Sequence, residues 1–173
     1  MLWLRSARRS DSRFVYDLAM LPEVRAVSTR EELFTWEDHE RWYDLRLFNS
    51  LIFIVEEVTA GGYGSVGYVR WGNGDHGLEV AIAVLPFARR RGIARSALAQ
   101  SEPLVQDRWP GRDMYALVRT NNMPSWHLFA AAGYDQIGRV ERMGKSHWLF
   151  CKAAPILPAD ASGARAEAES HSA

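Results

Sequence analysis

The chain has 173 residues, 47% of them hydrophobic, which suits one domain able to bury about two thirds of its unfolded surface. Lysine plus arginine and aspartate plus glutamate both number 21, so no global charge draws the chain to nucleic acid or to an anionic membrane. The single cysteine, Cys151, excludes an intrachain disulfide framework, and no apolar run approaches the ~20 residues that span a bilayer. Met1-Leu2-Trp3-Leu4-Arg5 is too short and too soon charged for a secretory leader, so a cytoplasmic location is the expectation.

Residues 2–7 alternate apolar and polar and predict a first strand. Ser10 or Asp11 then caps a helix with the stripe Phe14, Val15, Leu18 and Ala19, which Pro22 ends by turning Leu21 away from helical backbone. Thr35-Trp36-Glu37-Asp38 has the spacing of a capping box and opens a second helix to about Phe48. Residues 51–58 and 63–71 predict a hairpin across Gly61-Gly62, and Gly72-Asn73-Gly74-Asp75 predicts the turn to a strand ending at Leu85. Helical spacing follows over 92–109, with Pro103 expected to kink or split it. Residues 113–120 predict a strand, 124–132 a helix stopped by Gly133, and 134–143 with 145–152 a closing hairpin. From 153 to 173 Ala, Pro, Ser and mixed charges replace the aromatics, which predicts a flexible tail after a domain of residues 1–152.

The most informative segment joins the strand ending at Leu85 to the helix after Gly92. It carries Pro86, then Arg89-Arg90-Arg91-Gly92-Ile93-Ala94. Backbone amides at a helix N-terminus favour an anion, Gly92 lets the chain approach it, and Ala94 keeps the next turn slim. This reads as a pyrophosphate cradle. Twenty-eight positions after Ala94 comes Asn122, opening Asn122-Met123-Pro124-Ser125-Trp126-His127-Leu128-Phe129 and ending in Gly133-Tyr134.

Together the two segments resemble the GNAT superfamily of acetyl-CoA-dependent N-acetyltransferases. Val84, Pro86, Arg89, Gly92 and Ala94 fit V-x-P-x-x-[RQ]-x-x-G-x-[GA]; Asn122, Ser125, Leu128, Phe129, Gly133 and Tyr134 fit N-x-x-[AS]-x-x-[LI]-[YF]-x-x-x-G-[FY]. The resemblance implies an α/β fold of mixed α+β character: a mostly antiparallel sheet of about seven strands, flanked by four helices and splayed at the coenzyme cleft. It implies acetyl-CoA as donor and no metal. Ile82, Ala83 and Val84 would pair with the pantetheine, amides of Arg90, Arg91, Gly92, Ile93 and Ala94 would hold the pyrophosphate, and Arg89 would add attraction. Asn122 and Ser125 match coenzyme contacts, with helix capping as their structural alternative. Glu79 is the expected general base, or else an exposed strand carboxylate. Phe129 stands where many relatives carry the tyrosine that protonates the departing thiolate, which leaves Tyr134 or His127 as acid, or no acid at all.

The segment around Arg25, with His39, Trp42 and Tyr43, is similar to the P-x-V-R-x-x-S … H-x-x-W-[FY] pattern of GNAT enzymes that acetylate nucleotide-linked amino sugars, of the pseudaminic-acid-pathway type. His39, Trp42, Tyr43 and Arg46 share one helical face, where aromatics can pack on a sugar and arginine can meet a phosphate. The plainer reading makes Trp42 and Tyr43 core. The expected partner is therefore a small amine, with a homodimer as the expected assembly if the chain associates. Acetylation of protein N-terminal or lysine amines, and non-catalytic acyl-CoA sensing, are the alternatives.

Overall fold

The computed structural model describes residues 1–59 and 62–155. Seven strands form one sheet: β1 (Leu2–Ser6), β2 (Ser50–Thr59), β3 (Gly62–Asn73), β4 (Leu78–Val84), β5 (Met114–Arg119), β6 (Asp135–Arg142) and β7 (Lys145–Lys152). Their order is β1-β2-β3-β4-β5-β7-β6, and every neighbouring pair is antiparallel except β4 with β5. The helices are α1 (Ser12–Met20), α2 (Pro22–Arg25), α3 (Trp36–Asn49), α4 (Ile93–Arg108) and α5 (Met123–Ala131). The expected mixed fold is present, with five helices rather than four because Pro22, at the first helical position, starts the extra turn of α2.

Strand alternation sends side chains to two cores. On one face Trp71, Leu78, Val80, Met114 and Phe150 pack with Ala97, Leu98 and Val105 of α4 and Phe129 of α5. On the other, Ile52 and Ile54 of β2 meet Val15 of α1 and Tyr43 of α3. Each such aliphatic side chain contributes about 1.5–3 kcal/mol on burial.

Three local expectations are corrected. Helix α4 runs unbroken through Pro103. Its packed face holds it, and Ser101 Oγ bridges it to the sheet by accepting from Trp71 Nε1 (3.0 Å) and donating to the Leu98 carbonyl (3.1 Å). The Asn73-Gly74 corner is displaced: Asn73 still belongs to β3, and the chain reverses where the Gly74 amide donates to the Gly77 carbonyl at 2.8 Å. Ser10 and Asp11 fall in a 3-10 turn; Asp11 does take the N-cap position of α1, yet its carboxylate makes no cap bond there and accepts instead from the Arg8 amide and Arg5. Thr35 does cap α3, accepting from the Asp38 amide at 3.1 Å. Gly61 and most of the expected tail, residues 156–173, lie outside the described residues; Ala154 is still held, its amide donating to Asp113 (2.9 Å).

Candidate active site

The parallel pair β4–β5 is short. Leu78, Glu79 and Val80 align with Met114, Tyr115 and Ala116, and pairing stops there although β4 continues to Val84 and β5 to Arg119. Beyond Val80 the sheet divides, and Ile82, Ala83 and Val84 keep only their β3 partners Val69, Tyr68 and Gly67. Among the described residues no strand pairs with their second edge, which is the condition for an extended ligand to pair there as an added strand.

That edge leads into the loop before α4. Arg90 (φ 60°) and Gly92 (φ 75°) both adopt left-handed backbone, and Gly92 is the N-cap of α4 without a side-chain cap bond. No backbone carbonyl among the described residues accepts from the amides of Gly92 to Arg95, so these donors and the helix dipole converge on one point. The three arginines divide the work. Arg89 Nε donates to the Val84 carbonyl (3.2 Å) and fixes the end of β4; Arg91 pairs with Glu57 of β2; Arg90 is exposed with no side-chain partner among the described residues. A diphosphate fits this donor set. Asn122 caps α5 by accepting from the Ser125 amide at 3.2 Å, so its side-chain oxygen already has the structural role weighed for it.

On the opposite face lies a cavity of about 210 Å³, lined by Val15, Ala19, Phe34, His39, Trp42 and Tyr68 among others. Tyr68 is the cross-strand neighbour of Ala83, so the cavity floor adjoins the open stretch of β4. Ser28 and Arg30 form part of its rim. That rim is pinned across the sheet division: Arg119 of β5 donates to the Ser28 carbonyl (2.9 Å) and pairs with Glu31, and Lys145 of β7 meets Glu31 at 3.2 Å. His39 and Trp42 thus come together at the cavity. Arg25 does not; its guanidinium donates to the Met20 and Glu31 carbonyls and lies at a separate hollow with Pro22, Ala26 and Glu31. Two of its N–H groups thus organise the turn that follows α2.

Glu79 sits two residues before Ala81, on the same face as the cavity floor. Its half-sheltered carboxylate accepts from Arg142 Nη1 through both oxygens, at 2.9 and 2.8 Å. This pair joins β4 to β6, the two halves of the sheet that part beyond Val80. The expected acids are placed differently. Tyr134 is buried and its hydroxyl donates to Glu102 of α4 (2.9 Å), with Lys152 on the other oxygen (2.6 Å). Burial and the Glu102 charge raise its pKa far above the ordinary phenol, so it parts with a proton reluctantly and serves as a tie between β-hairpin and α4. His127 is exposed on α5, roughly 200° around the helix from Phe129. Phe129 itself is 3% exposed and packs on Tyr134 and Phe150.

His39 is 2% exposed, donates from Nε2 to the Ser12 carbonyl (2.9 Å) and stacks on Trp36 and Tyr43. It both lines the cavity and belongs to the core. His147, fully buried on β7, donates from Nδ1 to the Lys145 carbonyl and accepts at Nε2 from Thr29 (3.0 Å), tying the cavity rim down a second time. Burial lowers the pKa of both rings. The unfolded chain, with histidines near 6.5, then binds more protons than the folded one as pH drops below about 6.5. Stability is present above that value and is lost towards the lower folded pKa. The melting temperature should fall by a few degrees from pH 7.5 to 5.5, before carboxylates titrate. A melting temperature that holds or rises over this range would contradict neutral, buried histidines.

The model of the acetyltransferase (GNAT) family matches residues 14–134. The chain belongs to this family and is an acetyl-CoA-dependent N-acetyltransferase. Solved structures agree on the fold. Spermidine N-acetyltransferase from Vibrio cholerae, bound to CoA and spermine, is 20% identical with a TM-score of 0.74, covering 88% of this chain and 95% of that one. A phosphinothricin acetyltransferase from Sinorhizobium meliloti with AcCoA gives 17% and 0.74, covering 88% of each chain. Ribosomal-protein-alanine N-acetyltransferase from Brucella melitensis gives 19% and 0.71, covering 87% and 99%. No curated protein matches the chain. Among the described residues no helix is long and apolar enough to cross a membrane.

The sequence reading missed Tyr68, Arg142 and the pins of the rim. Alternation in β3 put Tyr68 on one face, but only the register with β4 sets it under the cavity.

Proposed function

We propose that the chain acetylates the primary amine of a small molecule seated between α1, α3 and the sheet. The observation that carries this is the junction of cavity and open edge: Tyr68 under the cavity is paired with Ala83 on the free segment of β4. Acetyl-CoA supplies an activated acetyl thioester there. The amides of Gly92 to Ala94 anchor its diphosphate, and Ile82 to Val84 guide its arm. Glu79, through water, takes the proton that the ammonium must lose, while Arg142 keeps the carboxylate aimed. Neither Tyr134, held by Glu102, nor His127, exposed on α5, replaces the tyrosine absent at Phe129. A thiol of pKa about 8.5 leaves readily enough as thiolate for solvent to protonate it.

The cavity holds the share of about seven waters. That suits a small amine, and a nucleotide-linked amino sugar only with its sugar in the cavity and its nucleotide outside. The test is thiol release from acetyl-CoA over a panel of amines, UDP-amino sugars and an N-terminal peptide included, with the products weighed by mass spectrometry. Trp42→Ala should lower kcat/KM for the accepted amine at least tenfold and leave acetyl-CoA affinity within twofold. His39→Ala should chiefly cost stability, since its ring is core. Equal loss of both ligands in Trp42→Ala would remove the cavity from the acceptor site.

A further inference from the structure

The cavity face carries more positive charge than the fold neutralises. Arg70 of β3 is two residues from Tyr68 on the same face, and its guanidinium lies 5.9 Å from the centre of the Trp42 ring, a cavity wall. Among the described residues it has no hydrogen bond and no carboxylate partner. The ring covers one of its faces and leaves its N–H edge unspent. Arg46, one helical turn beyond Trp42, has a buried Nε with no partner either. The carboxylates of this neighbourhood are already taken, Glu79 by Arg142 and Asp38 of the cavity lining by Arg41. Among the described residues none is left for Arg70 or Arg46. Burial and the charges of Arg46 and Arg142 lower the Arg70 pKa, against the pull of Tyr68 and Glu79. Burying the Arg46 Nε without a partner is costly, and an oxyanion is what matches a guanidinium edge.

We infer that Arg70, with Arg46 beside it, receives an oxyanion of the acceptor, so that the substrate is a small amine also bearing a carboxylate or phosphoryl group. This rests on the transferase reading above and narrows it. Tyr68 marks the amine end beside the open edge, and Arg70 is two strand residues away, roughly 7 Å. A polyamine is disfavoured, because its second ammonium would meet unpaired arginines.

Matched acceptors test this by thiol release at equal free-base concentration: methionine and glutamate against their α-amides, glucosamine 6-phosphate against glucosamine, and spermidine. The charged member of at least one pair should be favoured tenfold or more in kcat/KM, and the pair that shows it identifies carboxylate or phosphoryl. Arg70→Gln should lower kcat/KM for that amine roughly ten- to a hundredfold, the effect of losing a charge-assisted hydrogen bond, and Arg70→Lys should recover part of it. Acetyl-CoA affinity by calorimetry should stay within twofold. Should Arg70→Gln fail to fold, Arg46→Gln and the wild-type pair ratios decide alone. Neutral members or spermidine used as well as the charged ones would overturn the oxyanion site while leaving the transferase intact. Absence of thiol release with every amine offered, UDP-amino sugars and peptides included, would overturn the transferase reading and this inference together.

Discussion

Gly92→Glu is expected to abolish measurable acetyl-CoA binding while the protein stays folded. Gly92 is the N-cap of α4 with φ 75°, and nothing lies within 4 Å of a Cβ built on it. A side chain there meets no protein atom, so the cost to folding is the left-handed backbone, about 1–2 kcal/mol. Negative charge at a helix N-terminus offsets part of that, by about 0.3–1 kcal/mol. The same carboxylate occupies the point on which the amides from Gly92 to Arg95 converge and repels a diphosphate. Affinity should fall more than a hundredfold by calorimetry, with the melting temperature down by only a few degrees. Gly92→Ala separates the contributions, since it carries the backbone strain without the charge and should lose far less. Unchanged affinity in Gly92→Glu would mean that the α4 terminus is not where the coenzyme is held.

The strands and longer helices could be read from the chain because their signals are local: alternation in β3 and β5, the Thr35 cap, Gly133 after α5 (φ 84°). The loop between β4 and α4 was legible for the same reason, being a strand end, a left-handed glycine and a helix start within a dozen residues. What stayed hidden is non-local. Glu79 meets Arg142 across 63 positions and Arg119 meets Glu31 across 88, and periodicity assigns a face without naming a partner. Tyr134 was misread because the motif marks it as aromatic. Its partner Glu102 lies 32 positions earlier on α4. Pro103 and Asn73-Gly74 were misread the other way, as local rules overridden by the packed face of α4 and the β3–β4 register.

Glu79→Gln is expected to lower kcat about a hundredfold or more, within the usual range for a lost general base, with little change in the Michaelis constant for acetyl-CoA. The competing role is structural, since the pair with Arg142 links β4 to β6 across β5 and β7. The two roles part company in Arg142→Gln. If Glu79 only holds the sheet halves together, either substitution removes the same ion pair. Both variants should then lose similar stability and similar activity, with no change in the shape of the pH profile. If Glu79 is the base, Arg142→Gln leaves the carboxylate in place and should retain most of kcat at the cost of stability, whereas Glu79→Gln should lose kcat with stability nearly kept. Glutamine keeps an oxygen that accepts from Arg142, so the fold should tolerate it better than the chemistry does. Wild-type turnover of Glu79→Gln from pH 6 to 9 would remove Glu79 from the mechanism and leave the ion pair as a strap across the divided sheet.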